Sequence, residues 1–477
     1  MKQTTQQNTF LIHDYETFGQ NPALDLPAQF AGVRTDSNFN IIEEPLILYC
    51  RPADDYLPQP EAVIITGITP QFALLNGINE AEFARQINRI FSVPGTCIMG
   101  YNNIVFDDEV SRNIFYRNFY DPYAYSWQNG NSRWDLIKVL RACYSLRPEG
   151  INWPLNEQGL PSFKLEALSK YNNIQHNNAH NAISDVYATI ALARLVKLAQ
   201  PRLFNYLFQL RSKHKLFKLF DIIDMKPLIH ISSMFGVIKN NTSLVVALAK
   251  HPTDKNTVII CDLAGDVSLL FKLDVNGLRE RLYKRHSELY LDQLSPLPIK
   301  LVHLNQCPIL VPEYTLRAKD YLRLGLDRQQ CMNNLKYLQN HPWVSEKIIT
   351  VFTHAKPLKI TDNVDAQLYN GFFNYSDQKA MQIIRKTLPH NLSNLSLKVK
   401  DKRILSLLFR YRARNFQNTL TSHEYNIWQL HRQIILNPEK IKMYTLKLKK
   451  LYFFYKKETE KTTKLKELFK YMRQLIN

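Results

Sequence analysis

Two carboxylates stand two residues apart in the apolar run Phe10-Leu11-Ile12-His13-Asp14-Tyr15-Glu16-Thr17. In an extended strand that spacing puts Asp14 and Glu16 on one face of a sheet. Two like charges side by side are costly unless a cation neutralises them, so the pair suggests a divalent metal site. Asp-x-Glu is also common on solvated strand edges, and its weight here comes from acids elsewhere in the chain. The run Gly100-Tyr101-Asn102-Asn103-Ile104-Val105-Phe106-Asp107 passes through a polar turn and puts Asp107 at the start of a helix. The run Asn178-Ala179-His180-Asn181-Ala182-Ile183-Ser184-Asp185 sets His180 before a helix and Asp185 in its first turns. That separation cannot put both on one helical face, which leaves His180 on the preceding loop, reaching toward Asp185. Phosphodiester hydrolysis with two metal ions needs this inventory: carboxylates to hold the ions, an activated water and a base near neutral pKa. Histidine is the natural base, with an unperturbed pKa of ~6.5. An oxygen-only ligand set of Asp14, Glu16, Asp107 and Asp185 favours Mg²⁺ or Mn²⁺ over zinc.

The elements that must position these residues follow from periodicity. Strand-like runs at 10–17, 28–35, 45–51 and 96–101 alternate with helix-like runs at 79–92, 107–119, 133–146 and 181–198, the pattern of a mixed α/β sheet. Pro201 closes the last helix, which sets a boundary near 200. Beyond 225, short β-like runs (228–232, 243–249, 257–262, 299–304) broken by Gly, Pro, Asn and Asp suggest a small barrel. A connector near 353–363 leads to a helical end. Its stripes, such as Ile441, Tyr444, Leu448, Leu451 and Tyr455, read as core packing.

Composition narrows the classes. A chain of 477 residues with 45% hydrophobic content is long enough for about three folded domains. Its polar start and the absence of a bilayer-length apolar run lead to the expectation of a cytoplasmic protein without membrane contact. Six scattered cysteines, none in a Cys-x-x-Cys pair, argue against a zinc cluster or disulfide framework. The first 200 residues hold 15 Lys and Arg against 20 Asp and Glu, and the remainder 46 against 22. An acidic site in a basic body suits a polyanion, with nucleic acid the first candidate. Drift toward Lys, Asn, Ile, Tyr and Phe accounts equally well for much of the excess.

The set Asp14-x-Glu16, Asn103-Ile104-Val105-Phe106-Asp107 and His180-x₄-Asp185 resembles, in order, the three motifs of the DEDDh superfamily of 3′ to 5′ exonucleases. The match extends to Tyr101-Asn102-Asn103, Arg112-Asn113-Ile114-Phe115-Tyr116-Arg117-Asn118, Ser132-Arg133-Trp134-Asp135, Arg147-Pro148-Glu149-Gly150 and Asp362-Asn363-Val364-Asp365-Ala366-Gln367-Leu368-Tyr369. These segments make nearly the whole chain similar to the bacterial exonuclease I family. The resemblance implies an α/β architecture. It consists of an RNase H-like exonuclease domain (1–200), an SH3-like β-barrel domain (201–354) and a helical C-terminal domain (355–477). It implies processive digestion of single-stranded DNA from the 3′ end to 5′-mononucleotides, in repair and recombination, by a monomer. Asp14, Glu16, Asp107 and Asp185 would bind two Mg²⁺ ions, with Mn²⁺ able to substitute, and His180 would be the base. Asp108 and Glu109 are flanking charges. Arg112, Tyr123, Trp127, Arg141 and Lys164, with Glu16, would contact the strand; Lys164 stands where the family pattern has arginine. Arg147, Tyr206 and Arg317 match the pocket for the acidic C-terminal tail of single-stranded DNA-binding protein, although Gln339 and Pro312 depart from it. The Arg410–Arg414 run suits either a phosphate track or the solvated face of a packed helix.

Two rival readings are a DEDDh ribonuclease and a DNA-binding module that has lost catalysis. The long segment after residue 200 disfavours the first, and the presence of all five core residues disfavours the second. A metal-stabilised structural protein would have no need of His180 on a loop.

Overall fold

The structure is a computed structural model that describes residues 8–176, 180–353 and 361–476. Most of the polar leader, Asn178 and Ala179 of the third acidic segment, and most of the 353–363 connector lie outside the described residues. The chain forms two compact units. One comprises Met1–Ser132, His176–Ile190 and Lys359–Asn477; the other comprises Arg133–Gln175 and Ala191–Leu358.

In the first unit, β1 (Thr9–Thr17), β2 (Pro27–Thr35), β3 (Leu46–Tyr49) and β4 (Thr96–Gly100) lie in the order β3-β2-β1-β4. β1 runs antiparallel to β2 and parallel to β4. The four expected strand runs coincide with these strands. Alternation along β1 sends Leu11, His13 and Tyr15 into a core with Phe30, Phe83, Phe91, Ile98 and Phe115. Asp14 and Glu16 therefore face the other way. His13 donates from Nδ1 to Met99 O at 3.2 Å, and burial lowers its pKa to about 4, so it is a neutral core residue. At Gly100 a Cβ would stand 2.8 Å from His13 O, so only glycine lets β4 pass β1 before the turn to helix Asp107–Arg117.

The C-terminal helices belong to this same unit. Tyr444, Leu448, Leu465, Leu468 and Met472 pack on Phe18, Leu26, Ala28 and Val63, as the stripes predicted. Ile404 and Leu407 pack with Tyr116 and Phe119. Helices Tyr375–Lys386 and Ser422–Ile435 were not apparent in the periodicity. The Arg410–Arg414 run is neither a free phosphate track nor a solvated face. Arg410 pairs with Asp365, Arg412 with Glu424, and Arg414 with both Asp55 and Asp365 at 2.7 Å.

In the second unit, β5 (Ser132–Asp135), which begins at the last residue of the first, occupies the start of the expected 133–146 helix. The helix proper is Leu136–Leu146, where Asp135 accepts from Ile137 N at 3.2 Å as its cap. The strands β6 (Leu228–Ile231), β7 (Thr242–Lys250), β8 (Thr257–Asp262), β9 (Ile299–His303) and β10 (Ile309–Pro312) lie in the order β10-β6-β7-β8-β9. This is an open order rather than the closed barrel expected. After β9 the chain turns through Leu304–Gln306 and a left-handed Cys307, and β10 pairs with the far edge strand β6. One apolar cluster, with Val245, Ala247, Val258, Ile260, Val302 and Leu310, lines the sheet. All six cysteines are buried, as expected of structural thiols. Among the described residues no helix is long and apolar enough to cross a membrane.

Candidate functional site

Three separate segments deliver the predicted acids to one place. Asp14 and Glu16 come from the polar face of β1. Asp107 opens its helix, and its Oδ1 accepts from the backbone N–H of Tyr15 at 3.1 Å, between the two β1 acids. Asp185 lies in the first turn of helix Ala182–Ala199. On β2, Gln29 pairs in register with Glu16, and its Oε1 accepts from Ala182 N at 3.3 Å. One orphan N–H of the helix is thereby satisfied, and the helix is anchored beside Glu16. Gln29 escaped the sequence reading because its role depends on strand register. Ligand oxygens of Asp14, Glu16 and Asp185 all lie within 4.8 Å of one another.

This crowding has an electrostatic signature. Burial first, then Asp107, Glu16 and Asp185, hold the Asp14 carboxyl well above the usual carboxylate range. Burial, followed by Asp185, pushes Glu16 up to about 8. Carboxylates this close resist ionising together, and a divalent cation relieves that resistance. The all-oxygen donor set fits a hard ion. Asp108 faces inward against Asn103, and Glu109 is paired with Arg112, in keeping with flanking roles.

An acid whose pKa is raised in the fold keeps a proton that the unfolded chain has lost, so stability falls as pH rises toward the folded pKa. The buried His13 and His230, lowered from 6.5 to about 4, act in the opposite sense, but only below 6.5. Between pH 6.5 and 8 the raised acids remain. In EDTA, folding stability is expected to drop by about 2 kcal/mol over that window, and a divalent ion should restore it. Denaturant unfolding at both pH values checks this; a flat or rising profile in EDTA contradicts it.

His180 is exposed and precedes its helix with φ 61°, a left-handed conformation uncommon for a residue with a side chain. In the same unit, the Arg112 guanidinium stands 5.4 Å from the Tyr123 ring centroid. Arg112 is also held by Glu109 and Tyr369, so it organises the patch rather than standing free. Trp127 is 63% exposed. The structure adds Phe372, which is 85% exposed with its ring 5.6 Å from that of Tyr123. The Tyr369 hydroxyl reaches Glu109. Tyr369 closes the 362–369 segment noted for its resemblance and Phe372 follows it, but only the fold brings Phe372 to Tyr123 and Tyr369 to Glu109.

In the second unit, Arg141 stands 5.7 Å from the Phe163 ring centroid, and Lys164 is exposed at the head of helix Leu165–Tyr171. Arg147, Tyr206 and Arg317 gather about residues 313–320. Arg147 donates to Thr315 O at 3.2 Å, burial and then Tyr314 raise the Tyr206 hydroxyl above its ordinary value, and Arg317 bridges Glu149 at 2.7 Å and Asp320 at 2.6 Å. Gln339 donates to Asp224 O at 2.9 Å.

Three family models match the chain in order: exonuclease over residues 11–193, exonuclease I SH3-like domain over 211–354, and exonuclease I C-terminal domain over 362–475. The chain is 57% identical over 476 residues to exodeoxyribonuclease I of Escherichia coli strain K12, covering 100% of both. A crystal structure of Escherichia coli exonuclease I in complex with a dA16 oligonucleotide superposes with a TM-score of 0.97 at 57% identity, over 98% of this chain and 100% of that one. The zinc-bound form of an Escherichia coli exonuclease I–single-stranded DNA complex gives 0.95 at 57% identity over 99% and 100%. A structure of SSB/exonuclease I in complex with the inhibitor CFAM gives 0.93 at 56% identity over 98% and 100%. Identity at this level from end to end, through all three matched segments, makes the chain a member of the exodeoxyribonuclease I family.

Proposed function

We propose that this chain is an exodeoxyribonuclease that removes nucleotides processively from the 3′ end of single-stranded DNA and releases 5′-mononucleotides. The observation that carries the reading is the convergence of carboxylates from three separate segments beside β1, in a chain that aligns end to end with exodeoxyribonuclease I.

In this reading Asp14, Glu16, Asp107 and Asp185 hold two Mg²⁺ ions, for which Mn²⁺ can substitute. Bound there, the ions would supply charge neutralisation at the scissile phosphate and a water that is nucleophilic near neutral pH. His180, exposed on its loop, would be the base that accepts a proton at its imidazole and passes it to solvent. Glu16 also borders the terminal nucleotide. Tyr123, Trp127 and Phe372 offer flat faces on which any base can stack, while Arg141 and Lys164 meet phosphates. Trp127→Ala and Phe372→Ala are each expected to weaken binding of single-stranded DNA by about 1–3 kcal/mol. Their turnover at saturating DNA should change little. Fluorescence anisotropy beside steady-state kinetics checks this, and unchanged affinity in both variants removes these rings from the strand path.

Arg147, Tyr206 and Arg317 receive the acidic tail of single-stranded DNA-binding protein, a reading supported by the SSB/exonuclease I structure. Arg317 must exchange its bonds to Glu149 and Asp320 for the incoming carboxylate. The enzyme acts as a cytoplasmic monomer in repair and recombination, with domains divided near 200 and 354. Chromatography of the products from unlabelled single-stranded DNA tests the reaction. Deoxynucleoside 5′-monophosphates with Mg²⁺ and none with EDTA are expected; 3′-phosphates or short oligonucleotides would refute it.

A further inference from the structure

A second histidine meets the acid cluster. His176 stands nine residues before Asp185, outside the His-x₄-Asp spacing, and its Nε2 lies 2.5 Å from Asp185 Oδ1. Its side chain is only 4% exposed, against 17% for Asp185, and among the described residues its Nδ1 is buried without a hydrogen-bond partner.

We propose that His176 is a positioning residue, whose Nε2–H fixes the Asp185 carboxylate in the orientation that ion binding requires. The inference rests on the reading of Asp185 as an ion ligand. Asp185 needs such a restraint because it projects from a helix toward the carboxyls of Asp14 and Glu16, which repel it once they ionise, as ion binding requires. Left to itself, a carboxylate on a helix's first turn relieves that repulsion by rotating into solvent. A donor on a packed ring opposes the rotation, and a hydrogen bond to a carboxylate is directional and strong. Asp107 has the equivalent restraint from Tyr15 N–H at 3.1 Å. Two of the four acids are thus held by N–H groups of the protein.

The two histidines divide the work. The one His176 nitrogen with a partner is committed to Asp185 and its ring is enclosed, so it is poorly placed to trade protons with solvent. His180 is exposed. Among the described residues, the group whose donor atoms suit a single ion contains Asp14, Glu16 and Asp185 but not His176, so the histidine acts through Asp185 rather than on the ion.

The test is Mn²⁺ binding to the full chain without DNA, followed by electron paramagnetic resonance, for wild type, His176→Ala, His176→Phe and His176→Gln, with Asp185→Ala as control. Thermal midpoints and the split between kcat and KM are read alongside. Removing the partner of a metal-binding group typically costs ~10–100-fold in affinity. His176→Ala and His176→Phe are expected to lose Mn²⁺ affinity to that extent, with kcat reduced and KM for DNA unchanged. His176→Gln, which keeps an N–H donor, should recover most of the loss. Wild-type Mn²⁺ affinity in His176→Ala overturns the inference. So does a His176→Gln as weak as His176→Ala with both thermal midpoints lowered, since that is loss of packing. If Asp185→Ala also binds Mn²⁺ like wild type, the assignment of the ion site fails with it. If only that control is weakened, the ion site stands and the role of His176 falls.

Discussion

Asp14→Asn is expected to lower Mg²⁺-dependent release of mononucleotides by on the order of 10³-fold or more. Loss of an ion-binding carboxylate removes several kcal/mol of transition-state stabilisation, and each ~1.4 kcal/mol is tenfold in rate. The same substitution should raise the stability of the ion-free protein. Burial, then Asp107, Glu16 and Asp185, penalise an ionised Asp14, and a neutral amide of the same shape carries no such penalty. A catalytic carboxylate is therefore recognised by opposite movements of two observables, activity down and unfolding midpoint in EDTA up. Turnover within tenfold of wild type would remove Asp14 from the ion site. A midpoint that falls would show Asp14 to be a structural residue.

Arg414→Ala is expected to lower stability by about 3–5 kcal/mol. The guanidinium is half-buried and reaches the buried Asp55 at 2.7 Å and 3.1 Å and the buried Asp365 at 2.7 Å. Arg414 holds the Asp55 and Asp365 carboxyls below the usual carboxylate range against the burial that would raise them. Without it two buried carboxylates lose their strongest partner, although His431 still touches Asp55 at 3.3 Å and Arg410 still touches Asp365 at 2.7 Å. Helix Arg403–Asn415 would also lose its tie to the segment after β3. Urea unfolding of the intact chain measures this, and a loss below about 1 kcal/mol would mean that the pair has relaxed into water.

The acids were legible because each obeys a local rule. Strand alternation singles out Asp14 and Glu16, and a polar turn before a helix singles out Asp107. Asp185 stands out in the first turns of a strongly apolar helix. The residues that hold them were hidden because their roles depend on contacts that no period records. Gln29 acts through strand register, His176 through a loop, and Phe372 through a contact with Tyr123 across 249 positions of chain. Arg414 read equally as a phosphate contact or as part of a solvated face because its acidic partner Asp55 lies 359 residues away. The open order of the second sheet was equally out of reach, since it turns on whether β10 pairs with β9 or β6. The C-terminal stripes correctly foretold packing, but not that their partners would be Phe18, Leu26 and Val63 of the first segment.

The most direct measurement is digestion of a 5′-labelled single-stranded DNA oligomer, beside its duplex and its RNA counterpart, with Mg²⁺ or EDTA and with wild type or Asp185→Ala. Mg²⁺-dependent shortening of the single-stranded DNA alone, from its 3′ end and abolished in Asp185→Ala, is the predicted result. Equal cleavage of the RNA would make the chain a ribonuclease, and binding without cleavage would make it a DNA-binding module; either would contradict the proposed function.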